Sequence, residues 1–154
     1  MPKAVLLLDR DGLLNEASDD PASPLYYITK ESHLRSLVSP ESLQKLPKDI
    51  PVILATKQRA VGKGLLSPGK LNKINSRLQK LIKFTSSDIL VETKNENKAR
   101  LFKRISKKFR NCPIFLVDNS KEECRVAQSF GIHTLHTGQF SDIFKWEKFW
   151  SSVT

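Results

Sequence analysis

The chain has 154 residues, enough for one domain built on one core, and its composition, 39% hydrophobic and 27% charged, is that of a globular protein. Lys and Arg number 26 against 16 Asp and Glu, a formal net charge of +10 that favours anionic partners: phosphorylated metabolites, nucleic acid or an acidic membrane surface. Two cysteines make no disulfide framework, no Cys/His cluster has zinc spacing, no stretch approaches the roughly 20 apolar residues of a membrane helix, and the opening apolar run is too short for a signal peptide, so a reduced cytoplasm is the expected compartment and no membrane partner is expected.

The elements follow in chain order. "AVLLL" (4–8) reads as a buried strand and runs into Asp9-Arg10-Asp11-Gly12. "SPESLQKL" starts a helix, with Ser39 as N-cap and Pro40 at the first helical position. "VILAT" (52–56) is a second buried strand, ending in Thr56-Lys57-Gln58. "SPGKLNKINSRLQKLIKF" opens on Ser67 and Pro68, and its Leu71, Ile74, Leu78, Leu81 and Ile82 are expected on one helix face. "DILVE" (88–92) is a third, weaker strand pattern. "NENKARLFKRISKKFRN" carries a stripe of Leu101, Phe102, Ile105 and Phe109. "IFLV" (114–117) leads to Asp118-Asn119-Ser120, and "SKEECRVAQSFG" is a helix with Gly131 as its C-terminal cap. "HTL" (133–135) is a short last strand, and the aromatic tail "FSDIFKWEKFWSSV" is expected to pack a final helix on the sheet. Unbroken apolar strands alternating with helices predict an α/β domain with a parallel sheet covered on both faces. Ligand sites in such sheets form at the carboxyl ends of the strands. Three polar tips meet there: Asp9-Arg10-Asp11, Thr56-Lys57-Gln58 and Asp118-Asn119-Ser120.

In extended chain, residues two apart point the same way. Asp9 and Asp11 are thus expected to face one spot while Arg10 points elsewhere. Two such carboxylates repel unless a cation sits between them. Magnesium suits the task, because it binds through one or two carboxylates plus waters and substrate phosphate. That arrangement fits phosphoryl transfer, in which one carboxylate attacks phosphorus and the other handles the proton. The plainer alternative is a pair that only caps a strand or opens a loop. A calcium loop does not fit, since Gly12 comes too early and Leu13 and Leu14 stand where oxygen ligands belong.

Taken together, "LLLDRDGLLNE", "VILATKQRAVGKGLLSPGKL" and "FLVDNSKEECRVAQSFGIHTLHTG" resemble motifs I, II and IV of the haloacid dehalogenase (HAD) superfamily of phosphatases. The likeness is nearest to its histidinol-phosphate and heptose-bisphosphate phosphatase group and spans residues 4 to about 138. It implies a Rossmann-like three-layer sandwich with a central parallel sheet, a single HAD-like hydrolase domain over 1–154, and no large cap domain. It implies Asp9 as nucleophile, Asp11 as general acid/base, Thr56 as a hydroxyl on the phosphoryl group, and Mg2+ as cofactor. The motif III lysine falls best on Lys98, with Lys94 as rival. Asn119 stands at the metal-binding position of motif IV, an Asp-Asn-Ser form also found in small C-terminal-domain phosphatases of the superfamily; Asp118 is the alternative ligand beside Asp9 and Asp11, Glu123 stands at the later acidic position, and Glu122 is the remaining acid nearby.

The chain departs from the group in places. Lys57 and Arg59 replace Asn and Ser of its "TNQS" motif, two extra cations that could bind a second anionic group of the substrate or simply face solvent. With Lys63 they are expected at the entrance. No cysteine-bearing zinc loop lies between Phe84 and Lys98, and the group's "C-R-K-P-x-P" run is missing. The leading expectation is a magnesium-dependent phosphatase of a small phosphorylated metabolite. The second is a nucleic-acid-end phosphatase: Lys70, Lys73, Arg77 and Lys80 recur at helical spacing, and Lys103, Arg104, Lys107, Lys108 and Arg110 crowd a second helix. The third is a HAD-fold binding protein that has lost the chemistry, favoured by Asn119 and Lys57 and opposed by the intact Asp9, Asp11 and Thr56.

Overall fold

Strands made of uninterrupted apolar residues have no solvent face, so they must sit between two layers. The computed structural model, which describes residues 1–154, shows that arrangement. Five strands, β1 (Val5–Leu8), β2 (Val52–Lys57), β3 (Asp88–Glu92), β4 (Ile114–Asp118) and β5 (His133–His136), form one all-parallel sheet in the order β3-β2-β1-β4-β5. The first strand is central. The chain winds outward to β2 and β3, then crosses to β4 on the other side of β1. That reversal opens a crevice at the carboxyl end of β1.

Alternation along β1 assigns the faces. Ala4, Leu6 and Leu8 belong to the larger apolar cluster, which takes Leu43 from α1 (Pro40–Gln44), Ala60 from α2 (Arg59–Gly62), Leu71, Ile74 and Leu78 from α3 (Pro68–Leu81), and Phe149 and Val153 from α6 (Glu147–Val153). Val5 and Leu7 face the other cluster, with Leu101, Phe102 and Ile105 of α4 (Ala99–Lys108) and Ala127 of α5 (Lys121–Gln128). The result is a three-layer, Rossmann-like α/β sandwich. Between β1 and β2 the chain holds only two short 3-10 turns and α1, so no large cap stands over the sheet.

The expected caps are present. Ser39 accepts the Ser42 N–H and Ser67 the Lys70 N–H, each at 3.2 Å. Gly131 adopts φ +77° just past α5, a conformation that favours glycine, and its N–H donates to the Gln128 carbonyl at 3.0 Å. The tail packs on the sheet as expected, with Phe115 of β4 meeting Trp146 and Phe149 edge to face at 5.3 Å. Both cysteines are free thiols. One expectation is corrected. Leu81 does not share the buried face of α3 but is 39% exposed, and Asn75 takes a buried place instead. At 100° per residue Leu81 lies about a quarter-turn or more off the stripe centred on Leu71, Leu78 and Ile82. No helix is long and apolar enough to cross a membrane.

Candidate active site

The tips of β1, β2 and β4, with the starts of α4 and α5, enclose a pocket of about 140 Å³ lined by Asp9, Asp11, Lys57, Lys98, Asp118, Asn119, Ser120 and Glu123. No apolar side chain lines it. The volume is enough for a phosphoryl group with a few waters, and the mouth is open to solvent.

Asp9 continues β1 on the α4 side, and Lys98, the N-cap residue of α4, reaches across to it. The Lys98 Nζ donates to Asp9 Oδ1 and to Asp118 Oδ2, each at 2.7 Å. All three groups are buried. Burial works against the ammonium, but the two carboxylates outweigh it and hold the lysine pKa above its ordinary value. Burial pushes the Asp9 carboxyl up to about 7, with Lys98 pulling it down and Asp118 adding to the rise. The other oxygen of Asp118 accepts the Ser120 N–H at 2.9 Å. Asp9 keeps Oδ2 free of hydrogen bonds. Lys98 is itself held from behind, since its backbone N–H donates to Glu123 Oε1 at 3.0 Å. Glu123 is buried, and its Oε2 has no hydrogen bond, lying 3.8 Å from Lys57 Nζ. The rival Lys94 is exposed and meets the Glu92 carboxylate only through its backbone N–H.

Asp11 is built differently. The chain bends after Asp9, and the Arg10 carbonyl accepts the N–H groups of Leu13, Leu14 and Asn15 at 2.8–3.2 Å. Arg10 was expected to point away from both acids. It does leave on the α3 face, where it is fully buried and donates to Asn75 Oδ1 at 2.7 Å. Its long side chain nevertheless returns Nε to within 2.9 Å of Asp11 Oδ1. The extended-chain rule fails here because β1 stops at Leu8 and Arg10 sits in the turn. Asn15 Nδ2 donates to the same Asp11 oxygen at 2.9 Å, and Gln58 Nε2 to the other at 2.9 Å. Gln58 Nε2 also donates to Thr56 Oγ1 at 2.8 Å. Thr56 is at the tip of β2 as expected, but it is fully buried and does not line the pocket.

Asn119 lines the pocket against Gly12. Gly12 has φ +88°, and a Cβ there would stand 2.0 Å from Asn119 Nδ2, so only glycine lets the two loops meet. The His136 Nε2 lies 3.1 Å from the Asn119 carbonyl, fixing that loop to β5. Of the three cations expected at the entrance, Lys63 lies outside the pocket over the Tyr27 ring, while Lys57 lines the pocket and donates to the Glu96 carbonyl at 2.9 Å. Arg59 stands outside it, paired with Glu96 Oε2 at 3.1 Å. Glu92, at the tip of β3, accepts the N–H groups of Thr93, Lys94 and Asn95 and so shapes the loop that carries Glu96 to Lys98.

No three His, Cys, Asp or Glu side chains converge closely enough to hold a metal by themselves. Lys98 separates Asp9 from Asp118. The donors that line the pocket without Lys98 on them are the second oxygen of Asp9, the Asp11 carboxylate, which already accepts from Arg10, Asn15 and Gln58, and Asn119; they are hard and too few to saturate a cation. That fits magnesium, which binds through one or two carboxylates and fills its remaining positions with water and substrate oxygens. Sequence reasoning assigned no role to Gln58, Asn15 or Asn75. The first sits in the polar tip already marked at the end of the second strand; nothing local marks the other two.

No protein-family model and no curated protein matches the chain. Solved structures do. The D,D-heptose 1,7-bisphosphate phosphatase of B. bronchiseptica, solved with magnesium and phosphate, superposes with a TM-score of 0.72 at 18% identity over 85% of this chain and 78% of that one. A Mesorhizobium loti protein assigned as a HAD-like phosphatase gives 0.60 at 19% over 84% and 69%. The D,D-heptose 1,7-bisphosphate phosphatase of Burkholderia thailandensis gives 0.56 at 20% over 84% and 74%. At these identities the likeness establishes a shared fold.

Proposed function

We propose that this chain is a magnesium-dependent phosphatase that hydrolyses a phosphomonoester through an aspartyl-phosphate on Asp9, in a single HAD-like domain working in the cytoplasm. The observation that carries the reading is the pairing of Lys98 with Asp9 and Asp118 at 2.7 Å inside an all-polar pocket of phosphoryl size. The HAD-like neighbours, one of them holding magnesium and phosphate, support it.

In the first step an Asp9 carboxylate oxygen attacks phosphorus. The ester P–O bond breaks with its electron pair leaving on the alcohol oxygen, and Asp11 delivers its proton there. In the second step Asp11 takes a proton from water, the water oxygen attacks phosphorus, and the bond to Asp9 breaks to release phosphate. Lys98 neutralises Asp9 in the resting site and is placed to do the same for the phosphoryl oxygens. Gln58, Asn15 and Arg10 hold Asp11 in position, and we assign Thr56 to holding Gln58 rather than to touching the phosphoryl group. Asp9, Asp11 and Asn119 would hold the magnesium ion, which when bound offsets charge on the transferring group; Asp118, buried and carrying the Lys98 ammonium on one oxygen, serves Lys98 instead. Lys57, and Arg59 through Glu96, would form the rim that meets the rest of the substrate.

A small phosphorylated metabolite is the substrate we propose first, in line with the sugar bisphosphate named for two of the neighbours. The test is phosphate release from an aryl phosphate and a panel of sugar phosphates with magnesium, comparing wild type with Asp9→Asn. Turnover by wild type and none by the variant is the expected result; equal rates in both would end the reading and leave a binding protein with this fold.

A further inference from the structure

Four cations stand along the exposed side of α3: Lys70, Lys73, Arg77 and Lys80. None is paired with a carboxylate, as is true of most Lys and Arg in the chain outside the site. Unpaired like charges at this density cost stability through mutual repulsion, which makes their grouping worth explaining.

The stripe is one wall of a groove. The other wall is the segment 27–32, which runs beside α2 and α3 in step with them. Tyr27 stands under Lys63, whose Nζ is 5.4 Å from the ring centre. Thr29 and Lys30 share a recess with Lys70 and Lys73. Glu31 and Ser32 face Lys73, Arg77 and Lys80 across a wider opening of about 610 Å³ that has no apolar lining. The groove therefore runs from Lys63 along α3 for about 15 Å, the rise of ten helical residues. At its near end it joins the catalytic rim. Lys63 lies one turn beyond Arg59 on α2 and donates its N–H to the Arg59 carbonyl at 3.0 Å. Two residues before Arg59 is Lys57, which lines the pocket itself. Two acids lie along this path, Glu31 in the groove and Glu96 at the rim, where it is paired with Arg59.

The second cationic helix has no such continuity. Lys108 shares a recess with Pro2, Pro51 and Asp88, at the amino ends of the strands and away from the pocket. It also belongs to the opposite layer, so one ligand would not follow both helices.

The pocket has room for a phosphoryl group with a few waters and opens to solvent, so a larger carrier of that group extends over the rim and beyond. A repeating anion suits the α3 track better than a compact one. Leu25 and Tyr26 add a second feature at the same end. Both are left-handed, with φ 50° and 59°, and are 69% and 64% exposed. Such backbone is uncommon for bulky residues and costs free energy, and here it holds two large side chains out in solvent beside Tyr27. A cationic groove with an exposed aromatic side chain at its mouth, here Tyr26, is the kind of surface on which sequence-tolerant proteins hold a single nucleic-acid strand.

We propose that α3 and the segment 27–32 form a binding track for single-stranded nucleic acid that delivers a phosphorylated strand end to the Asp9 pocket as a second substrate class. The inference rests on the phosphatase reading for the chemistry: water cleaves the terminal ester P–O bond, giving a free hydroxyl end and phosphate by the two steps above. The track itself can be tested without turnover.

The experiment measures binding of a fluorescein-labelled oligothymidylate of about 12 nucleotides, within the ~4–16 typical of such grooves, to the full chain in EDTA. Affinity should fall steeply between roughly 50 and 200 mM salt. Lys73→Glu with Arg77→Glu should weaken binding at least about tenfold and flatten the salt dependence, while aryl phosphate turnover stays at the wild-type rate. With magnesium, the 3′- or 5′-phosphorylated oligonucleotide should be hydrolysed, and its kcat/KM should fall in the same double variant. Binding that ignores the double variant overturns the inference, as does tighter binding of an acidic phosphopeptide, which would assign the groove to a protein partner. If aryl phosphate is not hydrolysed while oligonucleotide binding behaves as described, the track stands and the phosphatase reading falls.

Discussion

The Lys98 Nζ lies equally far, 2.7 Å, from an oxygen of Asp9 and an oxygen of Asp118, and so ties the tips of the two neighbouring strands β1 and β4 through one buried charge. Without it, two buried carboxylates would face each other unpaired. Lys98→Ala should abolish turnover and, with magnesium absent, lower stability in urea by about 3–5 kcal/mol, the usual cost of removing one partner of a buried ion pair. Lys98→Arg should not restore activity, because the planar guanidinium cannot enter the same position. Full stability in the alanine variant would show that the triad is not coupled.

Asn119 is the neutral member of the set we assign to the metal. Asn119→Asp adds a formal negative charge at the pocket edge and should lower the magnesium concentration for half-maximal activity by about tenfold, ~1.4 kcal/mol. Asp118→Asn should leave that concentration nearly unchanged while cutting kcat, since Asp118 serves Lys98. Magnesium titrations of the two variants read the difference directly. The opposite pattern would move the ligand role to Asp118.

Gly12→Ala places a methyl 2.0 Å from the Asn119 amide, at a backbone conformation side chains rarely adopt. The strain of the left-handed backbone alone is roughly 1–2 kcal/mol, and Asn119 must move. The variant should fold with a lowered Tm and require far more magnesium. An unchanged magnesium titration would separate Asn119 from the metal site.

Glu92 supplies a pH dependence. Burial by itself would raise its pKa, but the backbone N–H groups of Lys94 and Asn95, the Asn95 amide and Arg100 outweigh burial, and the carboxyl lies below its ordinary 4.5. A carboxyl depressed in the folded state stabilises the protein fully above its unfolded pKa, and that contribution is lost as pH falls through the folded value. Stability should therefore decline below about pH 4.5 more steeply in wild type than in Glu92→Gln, which in turn should be about 1–3 kcal/mol less stable at neutral pH. Parallel acid limbs in chemical unfolding would rule the carboxylate out as a source of the decline.

Much of the fold and part of the site can be read along the chain, because both depend on local order. Continuous apolar runs mark β1, β2 and β4, with weaker patterns at β3 and β5; serines followed by prolines mark two helix starts, and Asp9, Asp11 and Asp118-Asn119 stand at strand ends where parallel sheets build sites. Leu81 was misplaced because a helical stripe has edges that spacing alone does not locate. The return of the Arg10 side chain to Asp11 was missed because strand alternation was carried two residues past the end of β1, into a turn whose geometry depends on Asn15.

What the sequence by itself determined is the periodic part: which segments are strands, which helix faces are apolar, and which acids reach the strand tips. These follow from residue-to-residue spacing. The resemblance already favoured Lys98 over Lys94, but the contact of Lys98 with Asp9 and Asp118 spans 89 and 20 positions in the chain, and the Arg10–Asn75 and Asp11–Gln58 bonds span 65 and 47. Only the packed tertiary structure decided them, because a long polar side chain buried between layers takes whichever partner the opposing element presents, and no local pattern records that partner.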